Sequence, residues 1–270
     1  MRILFIGDIV GRPGRRAVAR WLPELREAHG FDLVLANAEN ASGGLGATPQ
    51  TLSELRGLGI HAFTLGNHAW RKSELLKTID GMHDIVRPIN FPEGNPGRGA
   101  VVVALKDGRK VGLVNAIGRV FLEPANCPFL GVDRALEWLR RETPVVLVDF
   151  HAEATSEKVA LGWHLDGRVS AVVGTHTHVA TADGWILPQG TGYITDVGMC
   201  GPMHSVIGTE RAIVLKRFLT GLPGRFEVAG GPVQFCAVLL EVEESTGRAT
   251  RIEHIFRRED SRPARPGRGK

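Results

Sequence analysis

Short apolar segments rich in valine, isoleucine and leucine recur along the chain, separated by amphipathic or glycine-rich segments. Short apolar runs bounded by turn residues are typical of strands buried in a sheet. The runs that predict strands in the first two thirds of the chain are RILFIG (2–7), DLVLANA (32–38), HAFTLG (61–66), AVVVAL (100–105), KVGLVNAI (110–117), PVVLVDF (144–150) and SAVVGT (170–175).

Helical periodicity occurs between several of these runs. The segment after the first run has one apolar stripe, formed by Val18, Trp21, Leu22 and Leu25. Thr48, followed by Pro49, has the properties of a helix N-cap with proline in the first turn. Further helices are predicted near residues 71–80, 131–142 and, more weakly, 207–219.

Two hairpins are predicted by turn sequences that separate neighbouring strand runs. Asp107-Gly108 separates the runs at 100–105 and 110–117, and STGR separates QFCAVLLEVE from RIEHIF. We expect these hairpins to add antiparallel strands at the sheet edges. The alternation of strands and helices elsewhere predicts an α/β fold, with stacked layers around a largely parallel core.

Composition indicates an ordinary globular protein. The 270 residues are 43% hydrophobic and 23% charged. We predict a single domain over residues 1–258 and a basic, disordered tail over residues 259–270. Six of the 33 lysine and arginine residues lie from Arg257 onward, so the body is close to neutral and a broad nucleic-acid surface is not indicated.

Cysteine usage and hydropathy bear on the compartment. Cys127, Cys200 and Cys236 show no CxxC spacing, which argues against a disulfide framework or a cysteine zinc site and favours a reducing compartment. No apolar stretch approaches the ~20 residues that a membrane span needs. The sequence therefore predicts a cytoplasmic protein with no membrane partner.

Polar residues of metal-binding types follow five of the predicted strands. They are Asp8, Glu39 with Asn40, Asn67 with His68, His151, and His176 with His178. Ligands of open α/β sheets bind beyond the carboxyl ends of the strands, so we expect these side chains to converge at one edge. Each residue alone is explained as a turn, cap or surface residue, whereas their shared placement indicates a site. Among the other histidines, His204 in the GPMHS loop is a further candidate.

The ligand types favour two metal ions over one. Three histidines, two carboxylates and an amide exceed the three protein ligands typical of a catalytic zinc, and a carboxylate can bridge two ions ~3.5–4 Å apart. In extended chain, His176 and His178 point to the same side, so both imidazoles are expected to reach the site. Imidazole and oxygen ligands without a thiolate favour manganese, iron or zinc. Two divalent ions outweigh the charge of the two carboxylates, so the site would be positively charged and would favour phosphate-containing substrates.

Five motifs, in order along the chain, resemble those of the calcineurin-like metallophosphoesterases. They are GDIVG (7–11), NAEN (37–40), GNH (66–68), DFHAE (149–153) and GTHTHV (174–179). The superfamily usually has Asp-x-His in the first motif, where this chain has Asp8-Ile9-Val10, and a bridging aspartate where it has Glu39. Both departures are typical of the YmdB-like bacterial phosphodiesterases, which this sequence resembles over about residues 1–260.

The resemblance implies a four-layer α/β/β/α sandwich with mixed sheets, and hydrolysis of phosphodiesters that include 2′,3′- or 3′,5′-cyclic nucleotides. It implies two metal ions, most often iron or manganese, with zinc as an alternative. Metal one would be held by Asp8, Glu39, Asn40 and His178, and metal two by Glu39, Asn67, His151 and His176. A hydroxide generated between the ions would attack phosphorus, and His68 matches the proton donor.

Other interpretations remain open at this level. A regulator that binds a nucleotide or a partner, with incidental turnover, and a metal-dependent nuclease that binds RNA both fit the metal site; a homo-oligomer is compatible with the sequence. The motifs GxSxG, HExxH and the P-loop are absent. Asp149, Glu153 and Asp196 are candidate partners for the imidazoles, and the aromatic residues considered for base stacking are Phe91, Phe121, Phe129 and Tyr193.

Overall fold

The computed structural model of the chain describes residues 1–259. Except for Glu259, the predicted basic tail lies outside the described residues. The strands are β1 (Arg2–Ile6), β2 (Asp8–Ile9), β3 (Leu33–Asn37), β4 (Ala62–Thr64), β5 (Ile85–Val86), β6 (Ala100–Ala104), β7 (Lys110–Ile117), β8 (Val146–His151), β9 (Ala171–Thr175), β10 (Trp185–Ile186), β11 (Gly192–Ile194), β12 (Met199–Pro202), β13 (Val233–Val242) and β14 (Ala249–Arg258). The α-helices are α1 (Gly11–His29), α2 (Pro49–Gly57), α3 (Ser73–Leu76), α4 (Pro128–Glu142), α5 (Thr155–Leu165) and α6 (Arg211–Thr220), and a 3-10 helix spans Ile79–Gly81.

The strands form two mixed sheets. The eight-stranded sheet has the order β2-β12-β13-β1-β3-β4-β5, with β14 paired to β13; the strands from β1 to β5 along this path are parallel, and β13 is antiparallel to β1. The six-stranded sheet has the order β10-β11-β9-β8-β7-β6, with four parallel strands between two antiparallel edges.

Three apolar clusters separate four layers. Because side chains alternate across a strand, Leu4 and Ile6 of β1 pack toward α1 and α2, whereas Ile3 and Phe5 pack against the second sheet. The third cluster lies between the six-stranded sheet and helices α4 and α5. The result is the predicted α/β/β/α sandwich with mixed sheets.

One local expectation is confirmed, and two others differ from the structure. Thr48 caps α2, since its hydroxyl accepts a hydrogen bond from Thr51 N at 3.2 Å. The helix predicted over 71–80 is broken into α3 and the 3-10 helix. The first hairpin does place β6 at an edge, but in the second only β14 is an edge strand, since β13 lies between β1 and β14.

The cysteines and the helices also bear on the expectations. Cys127, Cys200 and Cys236 are free thiols. Within residues 1–259, no helix is both long and apolar enough to cross a bilayer.

Candidate functional site

The residues singled out in the sequence gather where the carboxyl ends of the two sheets meet. Asp8 lies on β2, and Glu39 with Asn40 and Asn67 with His68 follow β3 and β4 of the eight-stranded sheet. His151 ends β8, and His176 and His178 follow β9 of the six-stranded sheet. The expectation of a single sheet edge was therefore wrong in detail, because each sheet supplies about half of the site.

His151 Nε2 is the point on which one group of ligand atoms converges. It lies 3.1 Å from Glu39 Oε1, 3.1 Å from Asn67 Oδ1 and 3.0 Å from His176 Nδ1. Glu39 and His151 are fully buried, and potential ligand atoms of Glu39, His151 and His176 all lie within 4.8 Å of one another. Two oxygens and two ring nitrogens facing one another in a buried space have the chemistry of a cation site.

A hydrogen-bonded bridge on the other side of the His151 ring determines which ring nitrogen carries the proton. Thr175 Oγ1 donates to Asp149 Oδ1 at 2.7 Å and lies 2.9 Å from His151 Nδ1. Because the Thr175 proton is directed to the carboxylate, Nδ1–H of His151 is the donor to Thr175. The lone pair of neutral His151 is then on Nε2, the atom at the centre of the cluster.

Glycine is required at position 66 by space rather than by a turn. From the sequence, the glycine before Asn67 predicts a sharp turn of the backbone. In the structure, however, the φ angle of Gly66 is outside the left-handed region. A Cβ atom there would lie 2.3 Å from Glu39 Oε2 and 2.4 Å from His151 Nε2. The next loop residues complete the packing, since His68 N donates to Glu39 Oε2 at 3.0 Å.

Asp8, Asn40 and His178 form the other half of the site. Asp8 is fully buried; its Oδ2 accepts a hydrogen bond from His176 N at 3.1 Å, while its Oδ1 has no hydrogen-bond partner within residues 1–259. His178 Nε2 lies 3.8 Å from Asp8 Oδ1 and 3.2 Å from Asn40 Nδ2. A buried carboxylate oxygen is costly without a partner, so the orphaned Asp8 Oδ1 fits a cation held on this side as well.

The two histidines of the His-x-His pair reach the site in a different way from the one expected. Strand β9 ends at Thr175, and His176 and His178 have φ values of 101° and 66° instead of an extended conformation. Residues other than glycine adopt this region at a cost, which surrounding contacts must offset. His178 Nδ1 lies 2.8 Å from Ile207 O, to which it donates, so its Nε2 faces Asp8 and Asn40.

A buried ion pair holds the turn that carries these histidines. Lys158 Nζ donates to Thr175 O at 2.8 Å and to Asp196 Oδ2 at 2.7 Å. Asp196 Oδ2 also accepts from Thr177 N at 3.1 Å and from Thr177 Oγ1 at 2.8 Å. These hydrogen bonds fix the backbone on both sides of His176, at Thr175 and Thr177.

The three carboxylates considered as partners of imidazoles act in three ways. Glu153 contacts an imidazole directly, with Oε2 3.2 Å from His176 Nε2. Asp149 acts on His151 through Thr175, and Asp196 binds the turn instead of a ring. Sequence reasoning missed Lys158, although its spacing from Leu161 and Leu165 places it on the buried face of α5.

The charges in the site shift one another's pKa. Burial alone would lower the pKa of His151, but Glu39, Asp8 and Asp149 outweigh it and raise it to about 9. Burial and the charge of His151 lower the pKa of His176 to about 3. Burial raises the pKa of Asp8 despite the attraction of His178 and His151. The buried carboxylates thus demand positive charge, which a divalent ion can supply.

His68 lies at the edge of the cluster. Its Nδ1 is 2.9 Å from Asn40 Oδ1 and 3.3 Å from Glu39 Oε1, and its side chain is 21% exposed. His204 is exposed in the loop after β12. Of the aromatic residues considered for stacking, Phe121 is 87% exposed, Phe91 and Phe129 are partly buried and Tyr193 is buried.

Comparison with known proteins identifies the family of the chain. The YmdB-like protein family model matches residues 4–255. A 2′,3′-cyclic-nucleotide 2′-phosphodiesterase of Bacillus subtilis (strain 168) is 48% identical over 260 residues, which cover 96% of this chain and 98% of that protein.

Solved structures show the same fold. A phosphatase from Mycoplasma pneumoniae has a TM-score of 0.91 and 35% identity, with 97% of this chain and 94% of that chain covered. A hypothetical protein from Thermus thermophilus has a TM-score of 0.90 and 46% identity, with 96% and 100% covered. The match of the family model to almost the whole described chain shows that this protein belongs to the YmdB-like family.

Proposed function

We propose that the chain is a phosphodiesterase that hydrolyses 2′,3′-cyclic nucleotides with the help of two divalent metal ions. The observation that carries the proposal is the convergence of Glu39, Asn67 and His176 on His151 Nε2, at distances of 3.0–3.1 Å. The unpartnered Asp8 Oδ1 supports a second ion beside the first.

The ligand residues would divide into two sets that share Glu39, with Asn40 binding through its amide oxygen. Asp8, Glu39, Asn40 and His178 would hold one ion, and Glu39, Asn67, His151 and His176 the other. Bound there, divalent ions would lower the pKa of water and neutralise charge on the phosphoryl oxygens. The mixture of imidazole and oxygen donors favours iron or manganese, with zinc as the alternative.

His68 would supply the proton that the leaving oxygen needs when the P–O bond breaks. Its Nδ1 lies 2.9 Å from Asn40 Oδ1 and would donate its proton there, so a second proton on the ring, on Nε2, would be the one that transfers. The partly exposed position of the ring lets it reach a substrate, while the contacts to Asn40 and Glu39 hold its orientation.

The choice of substrate class rests on the relative from Bacillus subtilis, named a 2′,3′-cyclic-nucleotide 2′-phosphodiesterase, which is 48% identical to this chain over 260 residues. The cyclic diester is strained and carries a single negative charge, which suits a small cationic site. Hydrolysis of 3′,5′-cyclic nucleotides is the alternative, since it would use the same chemistry on a different phosphodiester. The cytoplasmic location stays a prediction from the sequence, whereas a homo-oligomer and RNA binding are only compatible with it.

Metal content and turnover test the proposal together. Protein purified without chelator should contain about two ions per chain by elemental analysis, as expected of a binuclear hydrolase. Hydrolysis of 2′,3′-cyclic AMP and of bis(p-nitrophenyl) phosphate should then be measured with manganese, iron(II), zinc or EDTA. We expect turnover that EDTA abolishes and added metal restores.

Three outcomes would contradict it. Metal binding without hydrolysis under any condition would favour a nucleotide-binding regulator. Cleavage of RNA with no action on the cyclic nucleotide would favour a nuclease. Hydrolysis that is insensitive to EDTA and occurs in metal-free protein would refute the role given to the ions.

A further inference from the structure

A cavity of about 570 Å³ adjoins the half of the site that contains Asp8. His178 forms part of its wall, and so does Met199, whose Cα is paired with that of Asp8 in the parallel ladder between β12 and β2. Neighbouring strands lie only ~4.8 Å apart, so the cavity begins one strand away from the Asp8 carboxylate.

One wall of the cavity is a row of flat side chains on β14. His254, Phe256 and Arg258 alternate along the strand and therefore share a face, and all three line the cavity. The ring centroids of His254 and Phe256 are 6.3 Å apart with an interplanar angle of 28°, and Arg258 Cζ lies 4.4 Å from the centroid of Phe256. Phe256 is 37% exposed. Aromatic rings and guanidinium planes are the surfaces on which nucleobases stack.

Polar groups complete the lining without adding negative charge. Gln234 lies opposite Arg258 in the register of β13 and β14, and its amide can both donate and accept hydrogen bonds. Thr181 and Ser205 contribute hydroxyl groups. Among the lining residues that the structure describes there is no aspartate or glutamate, so an anionic ligand meets no repulsion there.

We propose that this cavity holds the nucleoside part of a nucleotide substrate, with its base packed against the row formed by His254, Phe256 and Arg258 and its phosphate at the Asp8 and His178 end. The inference rests on the proposed function and specifies where that substrate is recognised. The volume is within the range of ~300–1,000 Å³ usual for small-molecule sites. The combination of a stacking surface, an amide and a cation next to a phosphodiester site is suited to a nucleotide and offers no corresponding benefit to a substrate without a base.

A pair of substrates that differ only in the nucleoside tests the proposal. Both 2′,3′-cyclic AMP and glycerol 1,2-cyclic phosphate have a five-membered cyclic diester, but only the first has a base. In Phe256→Ala we expect KM for 2′,3′-cyclic AMP to rise by about tenfold, in line with the loss of one stacking contact. KM and kcat for glycerol 1,2-cyclic phosphate should be unchanged, and Phe256→Tyr should restore the KM of the wild type. Phe121→Ala, which removes an exposed aromatic residue outside the cavity, is the matched control and should leave both substrates unaffected.

Direct binding separates the failure of this inference from the failure of the proposed function. Calorimetry with adenosine 3′-monophosphate and with inorganic phosphate needs no turnover, and Phe256→Ala should weaken only the nucleotide. Absence of hydrolysis by the wild type would refute the proposed function, but loss of nucleotide binding in Phe256→Ala would still support the cavity as a nucleoside site. Equal binding and equal KM in wild type and Phe256→Ala, or a rise in KM in Phe121→Ala instead, would overturn the inference.

Discussion

Lys158 and Asp196 form an ion pair, 2.7 Å long and almost completely buried, beneath the turn that carries His176 and His178. The pair connects α5 to the segment before β12. Lys158 donates to the carbonyl oxygen of Thr175, and Asp196 accepts from the backbone N–H of Thr177. The buried Lys158 side chain cannot contact a substrate, so it has no direct part in catalysis. Its effect is to hold two residues with positive φ in the conformation that presents their imidazoles.

Lys158→Met removes the cation and leaves Asp196 buried beside an apolar side chain. We expect the free energy of unfolding to fall by ~3–5 kcal/mol, as for other broken buried pairs, and metal affinity to fall with it. Urea unfolding and metal titration measure the two effects. Lys110→Met is the control, since the ion pair of Lys110 with Glu142 is about half exposed and should contribute ~0–1 kcal/mol. Equal losses in the two variants would contradict the role given to Lys158.

Gly66→Ala should damage the metal site more than the fold. The added Cβ would displace Glu39 Oε2 and the His151 ring, so we expect metal affinity to fall by ~10–100-fold or more. Gly57→Ala is the matched control, because its Cβ would meet no atom within 4 Å at the end of α2. That change should leave metal binding intact, and unaltered metal affinity in Gly66→Ala would show that the crowding is relieved elsewhere.

The Thr175 hydroxyl should be needed for the tautomer of His151. Thr175→Val keeps the shape of the side chain but removes the hydrogen-bonded bridge between Asp149 and His151. The proton of neutral His151 is then no longer held on Nδ1, so the lone pair is no longer fixed on Nε2, which faces the site. We expect metal affinity to fall by ~10–100-fold, as is usual when the partner of a ligating histidine is lost. Thr175→Ser retains the hydroxyl and should bind metal like the wild type. The role of this bridge would be refuted if serine and valine gave the same dissociation constant by calorimetry.

His68→Ala should separate catalysis from metal binding. Loss of a general acid typically slows turnover by ~10²–10⁴-fold, while the groups that converge on His151 remain in place. Elemental analysis should therefore give wild-type metal content alongside the reduced kcat. His204→Ala, at an exposed histidine, is the control and should leave both unchanged. Loss of metal from His68→Ala would instead make His68 part of the ligand set.

The sequence predicted the layered fold because strand and helix periods are local properties. It also predicted which residues gather, since each follows an apolar run that had to be a strand. It did not predict that the site draws on both sheets, because sheet assignment depends on long-range pairing such as that of β13 with β1. Nor did it predict the positive φ of His176 and His178, which depends on the Lys158–Asp196 pair, distant in sequence from Thr177.

Asp32 provides a test of stability against pH away from the site. Partial burial alone would raise the pKa of Asp32, but hydrogen bonds from the Arg109 side chain and the Arg2 backbone outweigh it and hold the pKa below its usual value. A carboxyl whose pKa is lower in the folded state stabilises the fold above the pKa of the unfolded chain, and this contribution is lost as pH falls through the folded value.

Asp32→Asn should therefore lower the melting temperature at pH 7, by an amount that corresponds to about 1 kcal/mol. The difference from the wild type should shrink as pH falls below about 4, where the unfolded carboxyl is protonated. Asp107→Asn is the matched control: its carboxylate also contacts Arg109, but it is 51% exposed and should have the smaller effect. Because Asp32 precedes β3 and Arg109 precedes β7, the bridge joins the two sheets at the end opposite the metal site. Loss of this ion pair should accordingly leave metal content unchanged, and a pH-independent difference in melting temperature would show that the side chain acts through packing instead of charge.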